Sequence, residues 1–172
     1  MDLDAGRDRL LRPRRDRHRD READLSMFSS IVVGIDGSDT AREAMRQATV
    51  LARSVGARIA LVSAYEPVSD ARLRESIAVP RDLHWIINPR EDVEATLEQA
   101  AAEVRAAGVE VEIYARQGDP ADAILDVAEE RDSDLIVVGN KGMTGAKRFL
   151  LGSVPNKVSH HAPCSVLIIR TV

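Results

Sequence analysis

After Met27 the chain alternates short apolar runs with longer segments of helical period, and nothing else in the sequence restricts the fold so tightly. The apolar runs fall at about 30–36, 57–65, 109–116, 134–139 and 165–170 and read as strands. The first helical segment spans about 40–55. Ala41, Ala44, Met45, Ala48, Leu51, Ala52 and Val55 share one stripe of it, Gly56 supplies a stop, and Thr40 with Glu43 has capping-box spacing. The second runs from Pro89 to about Ala107, with Asn88 as cap, Glu91 three residues beyond it and Gly108 at the end. Asp119, Pro120 and Asp122 open a third in the same way. A shorter fourth starts near Ser153, whose hydroxyl is suited to cap free N–H groups, and stops before Pro163. Five strands and four helices in strict alternation predict an α/β fold, an open doubly wound parallel sheet with helices on both faces, because parallel strands need right-handed crossovers. Ligands of such sheets bind beyond the C-terminal ends of the strands. Function is therefore expected after Asp36, after Tyr65 and after Gly139.

The strands differ in character. Val109–Arg116 largely alternates, which predicts an edge strand with one face toward water. Val166-Leu167-Ile168-Ile169 is apolar on both faces, and at the other edge it would present a pairing surface that a monomer must hide, so a homodimer through this strand is expected. The segment 66–88 is long for a strand-to-helix connection and holds Pro67, Pro80 and the only tryptophan, Trp85, for which packing on the core or a partner subunit and stacking on a ligand both fit.

With 172 residues, 44% of them apolar, the chain fits one domain that buries a core. Residues 1–26 stand apart: eight Arg and seven Asp or Glu, broken only by scattered leucines, cannot offset the entropy of ordering. They are expected to form a disordered charged extension ahead of a domain at 27–172, and Met27, directly before the first strand, suggests that translation begins there. The extension carries about +1 of the net −4 and leaves about −5 on the rest, so a polyanionic ligand must be caught locally and no nucleic-acid partner is expected. No apolar stretch reaches the ~18 residues of a membrane helix, and the N-terminus lacks the apolar core of a signal peptide. The single cysteine, Cys164, makes neither an intramolecular disulfide nor a Cys-rich zinc site. These features point to a soluble cytoplasmic protein.

The chemistry concentrates between Gly139 and Val154, where an apolar strand ends and a helix begins. Glycines at 139, 142 and 145 let backbone N–H groups turn inward and approach an anion, and the N–H groups of Ser153, Val154 and the next turn add the positive end of a helix. Lys141, Lys147 and Arg148 offer charge beside this cradle. The phosphate loop of the common nucleotide hydrolases is absent, as is Gly-x-Gly-x-x-Gly.

Three stretches carry a resemblance. Val33-Gly34-Ile35-Asp36-Gly37-Ser38, then Gly139-x-x-Gly142 followed after nine residues by Gly152-Ser153, and finally His161-Ala162-Pro163-Cys164-Ser165-Val166-Leu167-Ile168 make the chain from about 28 to 171 similar to a universal stress protein domain. The glycine spacing resembles that family's ATP-binding signature. The resemblance implies a Rossmann-like sheet of the adenine nucleotide alpha hydrolase type in the order 3-2-1-4-5, dimerisation through the last strand, and ATP as ligand, with magnesium and manganese both open as its metal. It also implies that Asp36 meets the adenosine moiety beside Gly34 and Ile35, and that Ala64 offers backbone to the adenine. Gly139, Gly142, Gly152, Ser153 and Val154 would hold ribose and phosphates, with Asn140, Lys141, Met143, Thr144 and Gly145 contributing mainly backbone. A carboxylate suits the nucleoside end, since it would repel phosphate. Capping of the Gly37-Ser38 turn is an equally fitting role for Asp36.

No catalytic set accompanies this loop. His160 and His161 adjoin each other and point in different directions, so no metal site is expected from them, and no nucleophile stands with a base. The expected function is nucleotide binding itself: a stress-response protein that signals to a partner protein through nucleotide-dependent dimer states, with ATP turnover slow at most. Two alternatives stay open: a cyclic AMP-binding protein, and a slow ATPase or phosphotransferase whose partner supplies the missing groups.

Overall fold

The computed structural model describes residues 27–66, 89–141 and 151–170. They form β1 (Ser30–Gly34), α1 (Asp39–Val55), β2 (Arg58–Tyr65), α2 (Pro89–Ala106), β3 (Val111–Gln117), α3 (Pro120–Glu130), β4 (Leu135–Gly139), α4 (Ser153–His161) and β5 (Ser165–Ile169). All strand pairs are parallel and the sheet order is β3-β2-β1-β4-β5, so the strand order reverses between β1 and β4. The expected doubly wound α/β architecture is therefore present. The charged extension, the Trp85 segment and Asn88 lie outside the described residues. Among the described residues no helix is long and apolar enough to cross a membrane.

The central strands are apolar at nearly every position, Ser30, Arg58 and Ser63 excepted, because each successive residue enters a different core layer. Ile31, Val33, Ile59, Leu61, Leu135 and Val137 pack with α1 and α2, through Ala44, Met45, Ala48, Leu97, Ala101 and Val104. Val32, Ala60, Val62, Ile136 and Val138 pack with α3 and α4, through Ile124, Val127, Ala128 and Val158. Each fully buried aliphatic side chain contributes roughly 1.5–3 kcal/mol relative to exposure. Alanines dominate the facing side of α1, which lets that helix lie close to the sheet.

Two helix starts differ from expectation. α1 is capped by Ser38, whose Oγ accepts from Ala41 N–H at 3.2 Å, and Thr40 lies inside the helix; Glu43 instead pairs with Arg46 and Gln47. α4 begins at Ser153, but its N-cap is Gly152 and no side chain caps it. The third helix follows expectation, with Asp119 Oδ1 accepting from Ala121 and Asp122 N–H and Pro120 at its start.

β3 is an edge strand with one face covered by α2 and the other half-exposed, its charges paired with opposite charges. Val111, Ile113 and Ala115 pack against α2. On the other face Glu112 accepts from Tyr114 Oη at 2.6 Å and from Arg131 at 2.6 Å, and Arg116 pairs with Glu130. The Arg116 and Arg131 guanidinium groups lie 5.4 and 5.9 Å from the Tyr114 ring centroid. The charges that made this face look solvated are satisfied by the C-terminal end of α3, a contact invisible to a strand-by-strand reading.

Candidate functional site

At the tip of β1 the chain passes from buried Ile35 to exposed Asp36 and then Gly37, which takes φ +78°. Asp36 Oδ1 accepts from Ser38 N–H at 3.0 Å and Ser38 Oγ at 2.6 Å, closing an Asx turn that sets the α1 cap. The turn role is thus real, and it engages one carboxylate oxygen. It leaves Oδ2 without a hydrogen-bond partner among the described residues.

β2 runs past its neighbour. The last bond across to β1 is Ile35 N–H to Val62 O at 2.8 Å, and Gly118 N–H meets Tyr65 O on the β3 side. Ala64 lies between these positions and, by the alternation of the ladder, directs its N–H and C=O toward the space beyond the end of β1. No described backbone group bonds to it there. An apolar residue with both main-chain groups on offer is suited to the edge of a flat heterocycle.

The ends of the glycine loop are brought together. Gly152 N–H donates to Asn140 O at 3.0 Å, which seats the start of α4 beside the tip of β4, with Asn140 and Lys141 half-buried next to it. Gly142, Met143, Thr144 and Gly145 lie outside the described residues. Pro155 has no N–H, and Asn156 N–H bonds Gly152 O, so α4 offers two amides, those of Ser153 and Val154, together with the exposed Ser153 hydroxyl. The expected contribution from the next turn is not there.

The glycines divide by cause. A Cβ on Gly139 would stand 2.5 Å from Thr40 Cγ2 and 3.2 Å from the Thr40 backbone C and O, so α1 crosses β4 only because position 139 lacks a side chain. A Cβ on Gly34 would meet Ile124 Cδ1 at 2.7 Å. Gly152 is different: its φ of −61° and ψ of 166° suit any residue, and a Cβ there would find its nearest neighbours at 3.5–3.7 Å. Nothing in the described fold requires glycine at 152.

Around the site, Lys157 of α4 reaches Asp119 Oδ1 at 3.2 Å and Asp122 Oδ1 at 2.7 Å on α3. The Asp122 N–H and then the Lys157 ammonium hold the Asp119 carboxyl below its ordinary range, and bonding to Asp122 raises the Lys157 ammonium. A cleft lies on the other side of the Gly37-Ser38 turn, between α1 and α2, lined by Ile35, Arg42, Met45, Thr96, Gln99 and Glu103 among others. Sequence reading missed both, because each joins two helices without any local motif. Among the described residues no group of three His, Cys, Asp or Glu is arranged to hold a metal.

A parallel doubly wound sheet, with strand tips, a main-chain edge and a helix start converging at the reversal of strand order, defines a Rossmann-like α/β protein. Within that class, a family model described as the universal stress protein family matches residues 27–170, and the chain belongs to this family. The universal stress protein YxiE of Bacillus subtilis is 37% identical over 150 residues, which span 84% of this chain and 100% of that protein. A universal stress protein solved in complex with cAMP is 33% identical, with a TM-score of 0.65 over 86% of this chain and 100% of that one. The universal stress protein from Archaeoglobus fulgidus solved in complex with dAMP is 28% identical, with a TM-score of 0.58 over 83% of this chain and 98% of that one.

Proposed function

We propose that this chain binds an adenine nucleotide across the strand tips, with the nucleoside between Asp36 and Ala64 and the phosphate end at the glycine loop and the start of α4. The observation that carries this reading is Gly152, a glycine at a position where the described fold tolerates a side chain and where Ser, Asp or Asn would cap the helix better. A bare N-cap makes sense when a ligand anion takes the Ser153 and Val154 amides. The relatives solved with cAMP and dAMP support the same ligand class. In this reading Gly34 and Ile35 flank the nucleoside, and Gly139, Asn140, Lys141, Gly142, Met143, Thr144 and Gly145 line the loop.

ATP is the ligand that the signature spacing favours. Cyclic AMP is the second reading, favoured by the complex of the 33% identical relative and by two amides and one hydroxyl at α4, a donor set sized for one phosphate group. The domain is residues 27–172, binding is the function, and nucleotide occupancy shifts a dimer formed through β5 between states that a partner protein distinguishes. Slow hydrolysis of ATP is the enzymatic alternative.

Calorimetric titration of the full chain with Mg-ATP, Mn-ATP and cyclic AMP tests this reading. A saturable isotherm with one of them, weakened at least tenfold in Gly152→Ala at unchanged melting temperature, is the expected result. Silence with all three would overturn it.

A further inference from the structure

α4 is held to the fold mainly along one side. Of its nine residues Pro155 and Val158 are buried and Val154 packs against the same core, its N-cap has no side-chain bond, and Gly152 N–H to Asn140 O is the backbone bond at its start. Among the described residues its side-chain polar anchor is Lys157, one turn into the helix, which bridges two carboxylates of α3: the α3 cap Asp119 and Asp122. The α3 start is itself tied to the tip of β2, since Gly118, the residue before Asp119, donates to Tyr65 O at 3.0 Å. One connected path therefore runs from the Ala64–Tyr65 main chain through Gly118, Asp119 and Lys157 to the helix that starts with the Ser153 and Val154 amides.

We propose that Lys157 is a positioning residue for the phosphate end of the site: by clasping Asp119 and Asp122 it fixes how far the Ser153 and Val154 amides stand from the β2 tip. The inference rests on the nucleotide reading above and adds the residue that sets the span of the site. Lys157 touches no ligand in this scheme; its charge is spent on α3. Such a clasp has a distinctive consequence. It matters for ligands that reach both ends and not for those that occupy the nucleoside end alone.

The test compares Lys157→Met, Lys157→Arg, Asp122→Asn and the Lys157→Met/Asp122→Asn double variant in the full chain. Each is titrated by calorimetry with Mg-ATP, cyclic AMP and adenosine. Exposed ion pairs contribute modestly, so the expected loss is about two- to fivefold in nucleotide affinity for Lys157→Met, with adenosine affinity unchanged. Asp122→Asn should weaken the nucleotides in the same direction, the double variant should lose less than the two singles combined, and Lys157→Arg should retain affinity. Equal losses for adenosine and nucleotides, or no loss at all, would overturn the proposal. Hydrogen exchange of the ligand-free protein separates its failure from that of the nucleotide reading. Faster exchange of the Asn156 amide in Lys157→Met, with the β4 amides unchanged, is expected even if no nucleotide binds, and unchanged exchange at Asn156 counts against the clasp.

Discussion

The glycines at the strand tips share a residue type and a region of space but not a cause. Gly139 lets the Thr40 backbone approach β4, and backbone does not rotate away, so Gly139→Ala should lower stability by about 1–3 kcal/mol, read as a lower urea midpoint. Gly34→Ala should lower it less, because the atom in its way is the far end of the Ile124 side chain. Gly152→Ala should leave the midpoint in place. An ordering of 139, then 34, then 152 is expected, and a large loss at 152 would mean that the fold, not a ligand, demands that glycine. The sequence marked 139 and 152 through one spacing pattern and 34 through the Val33–Ser38 stretch. It could not separate packing glycines from ligand glycines, since the clash at 139 comes from Thr40, a residue far away in the chain. Asp36 was legible in both of its possible roles, and the structure displays the turn role on Oδ1.

Among the elements, helix starts were read well where the cap is a local event and poorly where it is not. Asp119 with Pro120 is a self-contained cap, and Asp119→Ala should destabilise the protein by about 0.5–2 kcal/mol. Its pH dependence has a definite sign. Because the folded state holds the Asp119 carboxyl below its ordinary 3.8, the stabilisation is complete above that value and is lost as the pH falls through the lower folded one. Asp119→Asn should therefore be less stable than the parent near neutral pH, and the gap in urea midpoint should narrow well below pH 3.8. A constant gap would show that the carboxylate charge contributes nothing. At α1, Thr40 with Glu43 has the spacing of a capping box, yet the Asx turn at Asp36 places Ser38 at the cap and draws Glu43 to Arg46 and Gln47. At α4 the better cap by residue type, Ser153, stands one position too late, because the Gly152–Asn140 bond decides where the helix begins.

At the scale of the whole molecule, the start of β1 is tied to the start of a strand far away in the chain. Asp134 Oδ2 accepts from Ser29 N–H and Oγ and from Ser30 N–H at 2.6–3.1 Å, which binds the start of β1 to the start of β4 within three residues of Met27. Residues 27–172 expressed alone should melt at the same temperature as the full chain, and a lower value would give residues 1–26 a structural part. The opposite edge of the sheet belongs to β5, which pairs with β4 on one side and has no strand on its other side among the described residues; Leu167 there is 38% exposed, flanked by Val166 and Ile168. If the proposed dimer forms there, Leu167→Lys should convert it to monomer in sedimentation velocity at unchanged secondary structure. The sequence by itself determined the parallel α/β class and the helix faces, because periodicity and glycine placement are local consequences of backbone geometry. The tertiary structure alone decided which glycines the fold needs, how β3 pairs its charges, what stands at the cap of α4 and which carboxylates Lys157 meets. Those outcomes depend on the distance between residues remote in the chain, and no local pattern encodes that distance.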